Sequence, residues 1–265
     1  MRFHFMRYFI LAIILTIHLA GTAEAQTLSN EKFAQIFSGY NACFLMESIS
    51  DGKRLVYNEA KKDKRMAPCS TFKIFNSLTA LDTKVVDNEF SGKRYDGTVY
   101  SIKSWMRDQT LQSAITNSCL WYFQKVAEDI GVERMSSYLK RVGYGNQVIS
   151  GGIKNFWIND SLQISPEEQL NFIKGLVKEE LPFKKRSMAI VRGMLRDKET
   201  PHGVMYGKTG SNWKDGKKFL GWYVGYLSTP QDVFIFATNI EAEDNAWGPV
   251  AKKLTRKVFS EMGLL

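Results

Sequence analysis

Four residues, Ser70-Thr71-Phe72-Lys73, place a hydroxyl three positions ahead of an amine. Pro68 favours an extended residue before it and sits at or just ahead of a helix start. Phe72, Ile74, Phe75, Leu78 and Leu81 then mark one apolar helical face. Residues three apart lie on the same side of a helix, so Ser70 and Lys73 meet at the first turn, where backbone N–H groups are unpaired. A serine becomes a nucleophile when a neighbour takes its proton, and an apolar setting lowers a lysine's pKa enough for it to do so. The same spacing also arises as a solvated helix start, so the chemistry depends on what else the chain brings.

Three further elements qualify. Ser118 opens an apolar helical pattern (Leu120, Tyr122, Phe123, Val126, Ala127, Ile130), where it can serve as an N-cap, relay a proton or bind a ligand. Lys208-Thr209-Gly210 ends a strand pattern. A cation, a hydroxyl and a glycine that admits close backbone approach suit a carboxylate-bearing substrate laid along that strand. Trp157 lies in an irregular stretch after the loop that begins Gly143-Tyr144-Gly145-Asn146.

The rest of the chain must position these groups. Residues 1–25 carry Arg2 and Arg7, an apolar run from Tyr8 to Leu19, and the small-x-small Ala23-Glu24-Ala25: the pattern of a secretory signal peptide, with an uncleaved anchor as the alternative. No later segment approaches a transmembrane length. The remaining 26–265 suffice for one large domain or two intimate lobes. The formal charge is +9, and +8 without the leader. The basic residues are scattered and no nucleic-acid motif occurs, so a solvated basic face that helps gather anionic small substrates is expected. Of His4, His18 and His202 only the last would survive cleavage, in the turn-like Thr200-Pro201-His202-Gly203, so no histidine-rich metal site is expected and a lysine is the expected base for nucleophilic chemistry. Export permits a disulfide among Cys43, Cys69 and Cys119, but the sequence assigns none, and burial as small packing residues is expected.

The element pattern begins with a helix over Asn30–Ser38 and a hairpin of Cys43–Met46 and Arg54–Tyr57 about Ser50-Asp51-Gly52-Lys53. After the Ser70 helix, 83–110 reads as turn-rich. Helices follow from near Ser118 to Gly131, over Val132–Val142, from a capping box at Ser165 to about Glu180, and over Lys184–Arg196. Strands are expected at Val204–Thr209, Phe219–Leu227 and Val233–Ile240, with turns at Ser211–Gly216 and Ser228–Asp232, and a helix over Val250–Met262. This predicts an α/β fold of the α+β type: an antiparallel sheet flanked by helices, its first and last strands from opposite chain ends, with an inserted all-helical lobe.

Taken in this order and with these separations, Pro68-Cys69-Ser70-Thr71-Phe72-Lys73, Ser118-Cys119-Leu120, Tyr144-Gly145-Asn146, Trp157, Lys208-Thr209-Gly210 and Gly221-Trp222-Tyr223-Val224-Gly225 resemble the penicillin-recognising enzymes, and within them the class D (oxacillinase-type) serine β-lactamases. The resemblance spans nearly the whole chain after the leader. It implies a β-lactamase/transpeptidase-like domain that hydrolyses penicillin-type antibiotics in the periplasm or outside a bacterial cell, as a monomer or homodimer, with no metal and no cofactor beyond CO2. It implies that Ser70 forms an acyl-enzyme and that Lys73, carboxylated on its amine, is the general base. Ser118 would relay a proton to the leaving nitrogen, Lys208 and Thr209 hold the substrate carboxylate, and Trp157 donate a hydrogen bond to the carbamate. The N–H groups of Ser70 and Ser211, beside Gly210, would form the oxyanion hole. Two positions depart from the family pattern. Leu120 stands where valine is usual, bordering the lysine. Ala251, followed by Lys252 and Lys253, falls where many members carry a carboxylate-binding arginine on the last helix. The alternative reading is a β-lactam sensor or penicillin-binding protein that is acylated and stays so.

Overall fold

The computed structural model describes residues 28–265; the leader expected at 1–25 lies outside the described residues. After α1 (Asn30–Ile36), the hairpin β1 (Asn41–Ser48) and β2 (Arg54–Tyr57) forms as expected. A single 3-10 turn, Cys69–Thr71, leads into α2 (Phe72–Asp82). The stretch 83–110 that reads as turn-rich holds the two-residue strands β3 (Gly92–Lys93) and β4 (Gln109–Thr110) and a 3-10 turn at Lys103–Trp105; the short α3 (Leu111–Thr116) follows, its capping box joining Thr110 and Ser113. The helical lobe continues with α4 (Leu120–Ile130) and α5 (Val132–Val142), which Gly143 ends at φ 69°. Then come α6 (Pro166–Val177), opened by the Ser165–Glu168 capping box, and α7 (Lys185–Met194). The C-terminal part is β5 (Arg196–Thr200), β6 (Gly203–Lys214), β7 (Lys217–Ser228), β8 (Val233–Glu241) and α8 (Gly248–Glu261).

Among the described residues, six strands form one antiparallel sheet in the order β2-β1-β8-β7-β6-β5. Chain ends meet at the β1–β8 pairing, where Leu45 faces Ala237 in register. The side-chain period of two sends Cys43, Leu45, Ile235 and Ala237 into the core shared with α2, α4 and α6. It sends Phe44, Met46, Phe234 and Phe236 into the core under α1 and α8. Both faces of the central strands are thus covered, which is why Cys43–Met46 reads as an unbroken apolar run.

Three boundaries differ from the sequence reading. The turn expected at Ser211–Gly216 shrinks to Asp215-Gly216, with φ of 52° and 76°: a two-residue Asp-Gly hairpin, which lets β6 and β7 pair as far as Lys214 and Lys217. The helix expected to reach Arg196 stops at Met194, and the polar Arg196–Thr200 instead pairs with β6 as an exposed edge strand. Ser118 does not cap a helix: it has φ 54°, and Cys119 is the N-cap of α4. His202 is exposed in the β5–β6 turn, as expected.

Candidate active site

The nucleophile turn is held from several sides. Thr71 Oγ1 donates to the Pro68 carbonyl (2.7 Å) and accepts from Gln169 Nε2 of α6 (2.7 Å). The Trp222 indole of β7 donates to the Ala67 carbonyl at 3.0 Å, and the Cys69 N–H donates to the Trp157 carbonyl at 2.9 Å. Cys69 is itself held at φ 52°, an uncommon conformation for a residue with a Cβ, so the turn keeps its shape through these surrounding bonds. Sheet and helical lobe therefore clamp the segment that carries Ser70.

One helical turn on, Lys73 Nζ lies 2.8 Å from Ser70 Oγ. Lys73 is buried, and burial pushes its ammonium down to about 8. Its Nζ stands 5.6 Å from the centre of the Phe123 ring. Of the apolar residues expected around this lysine, Leu120 lines the same cavity, while Phe72 stacks on Trp157 at 5.3 Å. The sequence marks Phe123 only as part of the apolar face of its helix, one turn beyond Leu120, and does not place it near Lys73. Trp157 is buried and its Nε1 has no hydrogen-bond partner among the described residues. A buried indole N–H ordinarily finds an acceptor, so this donor has capacity to spare.

Ser118 and Lys208 arrive from opposite directions. Freed from capping, Ser118 Oγ accepts from Lys208 Nζ at 3.0 Å. The same ammonium donates to the Thr209 carbonyl at 3.1 Å. Burial, then the cations Lys73 and Lys252, push the Lys208 ammonium well down. Along β6, burial alternates: Lys208 and Gly210 are buried, and Thr209 and Ser211 are half-buried. A Cβ at Gly210 would meet the Pro68 carbonyl oxygen at 2.9 Å, so this strand runs directly against the nucleophile turn. On the other face, Ser211 Oγ accepts from the Gly248 N–H of α8 at 2.9 Å.

Ser70, Lys73, Ser118, Leu120, Thr209 and Ser211 line one cavity of about 500 Å³. Its rim adds Trp105, Asn117, Trp213 and Trp247, which sequence reasoning missed; they lie in loops or at strand and helix ends with no periodic signal. Ala251 is fully buried, Lys252 reaches Asp197 instead of the cavity, and Lys253 is exposed. Neither lysine replaces an arginine there. The three cysteines are buried and free, and burial raises each thiol, Cys43 to about 12, which leaves them inert packing groups. Among the described residues no cluster of three or more His, Cys, Asp or Glu is placed to hold a metal ion, and no helix is long and apolar enough to cross a membrane.

A serine hydroxyl against a buried lysine amine, with a lysine of the facing strand bonded to a second serine just ahead of α4, is the layout of an enzyme that works through a serine acyl-enzyme. Residues 27–260 match the penicillin binding protein transpeptidase domain family. The "Probable beta-lactamase YbxI" of Bacillus subtilis (strain 168) is 39% identical over 252 residues, 94% of this chain and 92% of its own. The solved structure of "Class D beta-lactamase BAT-2" superposes with a TM-score of 0.84 at 40% identity, covering 90% of this chain and 99% of that one. The "Regulatory protein BlaR1" of Bacillus licheniformis is 33% identical over 271 residues, 96% of this chain but 45% of its own length. The chain belongs to the penicillin binding protein transpeptidase family, and within it to the class D serine β-lactamases.

Proposed function

We propose that the chain is exported by its N-terminal 25 residues and acts, as one domain over 26–265, as a β-lactamase that opens penicillin-type rings through an acyl-enzyme on Ser70. The observation that carries this is the buried Lys73 amine, 2.8 Å from Ser70 Oγ. The proton passes from Ser70 Oγ to the base on Lys73 as the oxygen attacks the lactam carbonyl, and the backbone N–H groups of Ser70 and Ser211 stabilise the charge on the carbonyl oxygen. As the carbonyl carbon–nitrogen bond breaks, the Ser118 hydroxyl passes a proton to the ring nitrogen and regains one from the base that took it from Ser70, while Lys208 keeps its charge and holds the Ser118 oxygen by its hydrogen bond. Lys208 and Thr209 hold the substrate carboxylate, with Gly210 admitting close approach to the strand. Water then hydrolyses the ester, and Ser70 regains its proton.

Lys73 fits carboxylation by CO2. Only a neutral amine attacks CO2, and burial supplies neutral amine near pH 8. The product needs hydrogen-bond donors, and the Trp157 indole is free to donate. In that form the residue supplies a general base for both acylation and deacylation.

Leu120, which lines the cavity beside Ser70 and Lys73, supports a second reading: an acylated protein into which hydrolytic water does not enter. Mixing the leader-free protein with a penicillin, with and without bicarbonate, while following ring opening and intact mass separates the two. Many turnovers, faster with bicarbonate, are expected. A persistent one-to-one adduct would favour the sensor reading, and no adduct would remove Ser70 from its role.

A further inference from the structure

Ser118 belongs to the end of α3 before it belongs to the start of α4. Its N–H donates to the Ile115 carbonyl at 3.2 Å, and the Cys119 N–H donates to the Ala114 carbonyl at 2.8 Å. With Asn117 as the C-cap and Ser118 at φ 54°, this is a Schellman ending, and glycine is the usual residue at the left-handed position. Here that position keeps a hydroxyl, which accepts from Lys208 Nζ at 3.0 Å. The turn uses the Ala114 and Ile115 carbonyls but provides no donor for the Asn117 carbonyl. Trp105 supplies one: its indole Nε1 donates to the Asn117 carbonyl at 2.9 Å. Trp105 is itself held from α4, where Trp121 Nε1 donates to its carbonyl at 2.8 Å, and Tyr100 packs edge-on against its ring at 5.6 Å. The half-buried Trp105 ring also lines the Ser70 cavity. The Asn117–Ser118 peptide is thus gripped at both ends, its N–H by α3 and its carbonyl by Trp105. A turn of that peptide would change φ at Ser118 and carry the hydroxyl away from Lys208. A strained left-handed serine persists only where its surroundings fix it.

We propose that Trp105 is a positioning residue for proton transfer: its indole N–H, bonded to the Asn117 carbonyl, holds Ser118 in the left-handed conformation that keeps the hydroxyl on Lys208 and aimed at the leaving nitrogen of the β-lactam. The inference rests on the reading of Ser118 as the group that protonates that nitrogen. Trp105 comes from the turn-rich stretch 83–110, far from the motif residues in sequence, and reaches Ser118 only through the fold.

The test is single-turnover acylation by a penicillin, over a range of concentrations, in wild type, W105F, S118G and W105F/S118G. W105F keeps an aromatic ring on the cavity and deletes the N–H. Its limiting acylation rate should fall about tenfold, with the half-saturating concentration within about twofold of wild type. In the S118G background there is no hydroxyl to place, so W105F should change the rate by less than about twofold. A role confined to packing or to substrate contact would instead cost the same factor in both backgrounds. A benzothienyl side chain at position 105, with sulfur in place of the indole N–H, keeps the ring's shape and carries the same expectations if W105F fails to fold. Wild-type rates in the 105 variant, equal losses in both backgrounds, or a change in half-saturation alone overturn the inference while S118G still acylates slowly. An S118G protein that acylates as fast as wild type instead overturns the reading of Ser118.

Discussion

Lys208 and Ser118, ninety residues apart, share a 3.0 Å hydrogen bond that ties β6 to the start of α4, and Ser118 lines the same cavity as Ser70. The bond exists because Ser118 is not a helix cap: at φ 54° it turns out of the α4 start and leaves its hydroxyl to the lysine. Ser118→Gly tolerates that φ and deletes only the hydroxyl. It should fold with stability within about 1 kcal/mol of wild type, because relief of backbone strain offsets the lost hydrogen bond. Acylation by a penicillin should slow by about 10²-fold or more, since proton delivery to the ring nitrogen is lost. Single-turnover acylation alongside thermal unfolding checks both halves; unchanged acylation would remove Ser118 from the proton path.

Trp157 offers a separation of packing from hydrogen bonding. Trp157→Phe retains an aromatic ring against Phe72 and removes an indole N–H that lacks a partner among the described residues. If that N–H serves a carboxylated Lys73, the variant should need markedly more bicarbonate for half-maximal turnover and should accumulate acyl-enzyme in its absence. Bicarbonate titration of steady-state rates, with intact mass of the quenched protein, reads both. A variant with the wild-type bicarbonate requirement would leave the indole a packing group only.

Lys73 carries a stability cost with a defined pH window. Its folded value is about 8 against an ordinary 10.5. Between these the unfolded chain binds a proton that the folded chain does not, so folding stability rises as pH goes from 8 to 10.5. Below 8 both states are protonated and the full cost of burying the ammonium is present, at most about 3 kcal/mol. Lys73→Met should therefore be inactive yet more stable than wild type at pH 7, with the gap closing towards pH 10.5. Urea unfolding of both proteins in CO2-free buffer at pH 7 and pH 10 measures it. A pH-independent gap would mean that the difference is packing and not charge.

Much of this architecture is legible because local signals agree with the fold. The Ser165–Glu168 capping box, Gly143 after Val142 and the alternating or unbroken apolar strands each mark an element that tertiary packing also wants. What escapes is set by contacts distant in sequence. The edge strand Arg196–Thr200 has a polar, exposed composition and exists because β6 offers it an open edge. Residue 118 reads as an N-cap because its type favours one, yet the chain enters α4 a residue later. The motif residues are legible as a set, and Phe123 is legible as part of the apolar face of its helix, whereas its closeness to Lys73 and the tryptophans of the rim are found only once the sheet and the lobe are brought together.

Gly210 tests how tightly the strand is held to the nucleophile. A methyl group there would sit 2.9 Å from the Pro68 carbonyl oxygen, 3.2 Å from Thr71 Cγ2 and 3.3 Å from Trp222 Cβ. The Pro68 carbonyl cannot swing away cheaply, because it accepts from the Thr71 hydroxyl and anchors the turn that presents Ser70. The strand cannot retreat either: Gly248 of α8 is packed on its other face, where a Cβ would meet Thr209 Cβ at 2.7 Å. Gly210→Ala must therefore separate Ser70 from Thr209 and Ser211 by a few tenths of an ångström or more, and the Ser70–Lys73 bond, internal to one helical turn, should survive. The expected result is a fall in kcat/KM of roughly 10- to 100-fold, because substrate held on β6 no longer meets the nucleophile in register. Bicarbonate-dependent carboxylation of Lys73, followed by 13C NMR of the labelled carbamate, should be retained. Loss of the carbamate signal together with activity would show instead that the substitution disturbs the helix that carries Ser70 and Lys73.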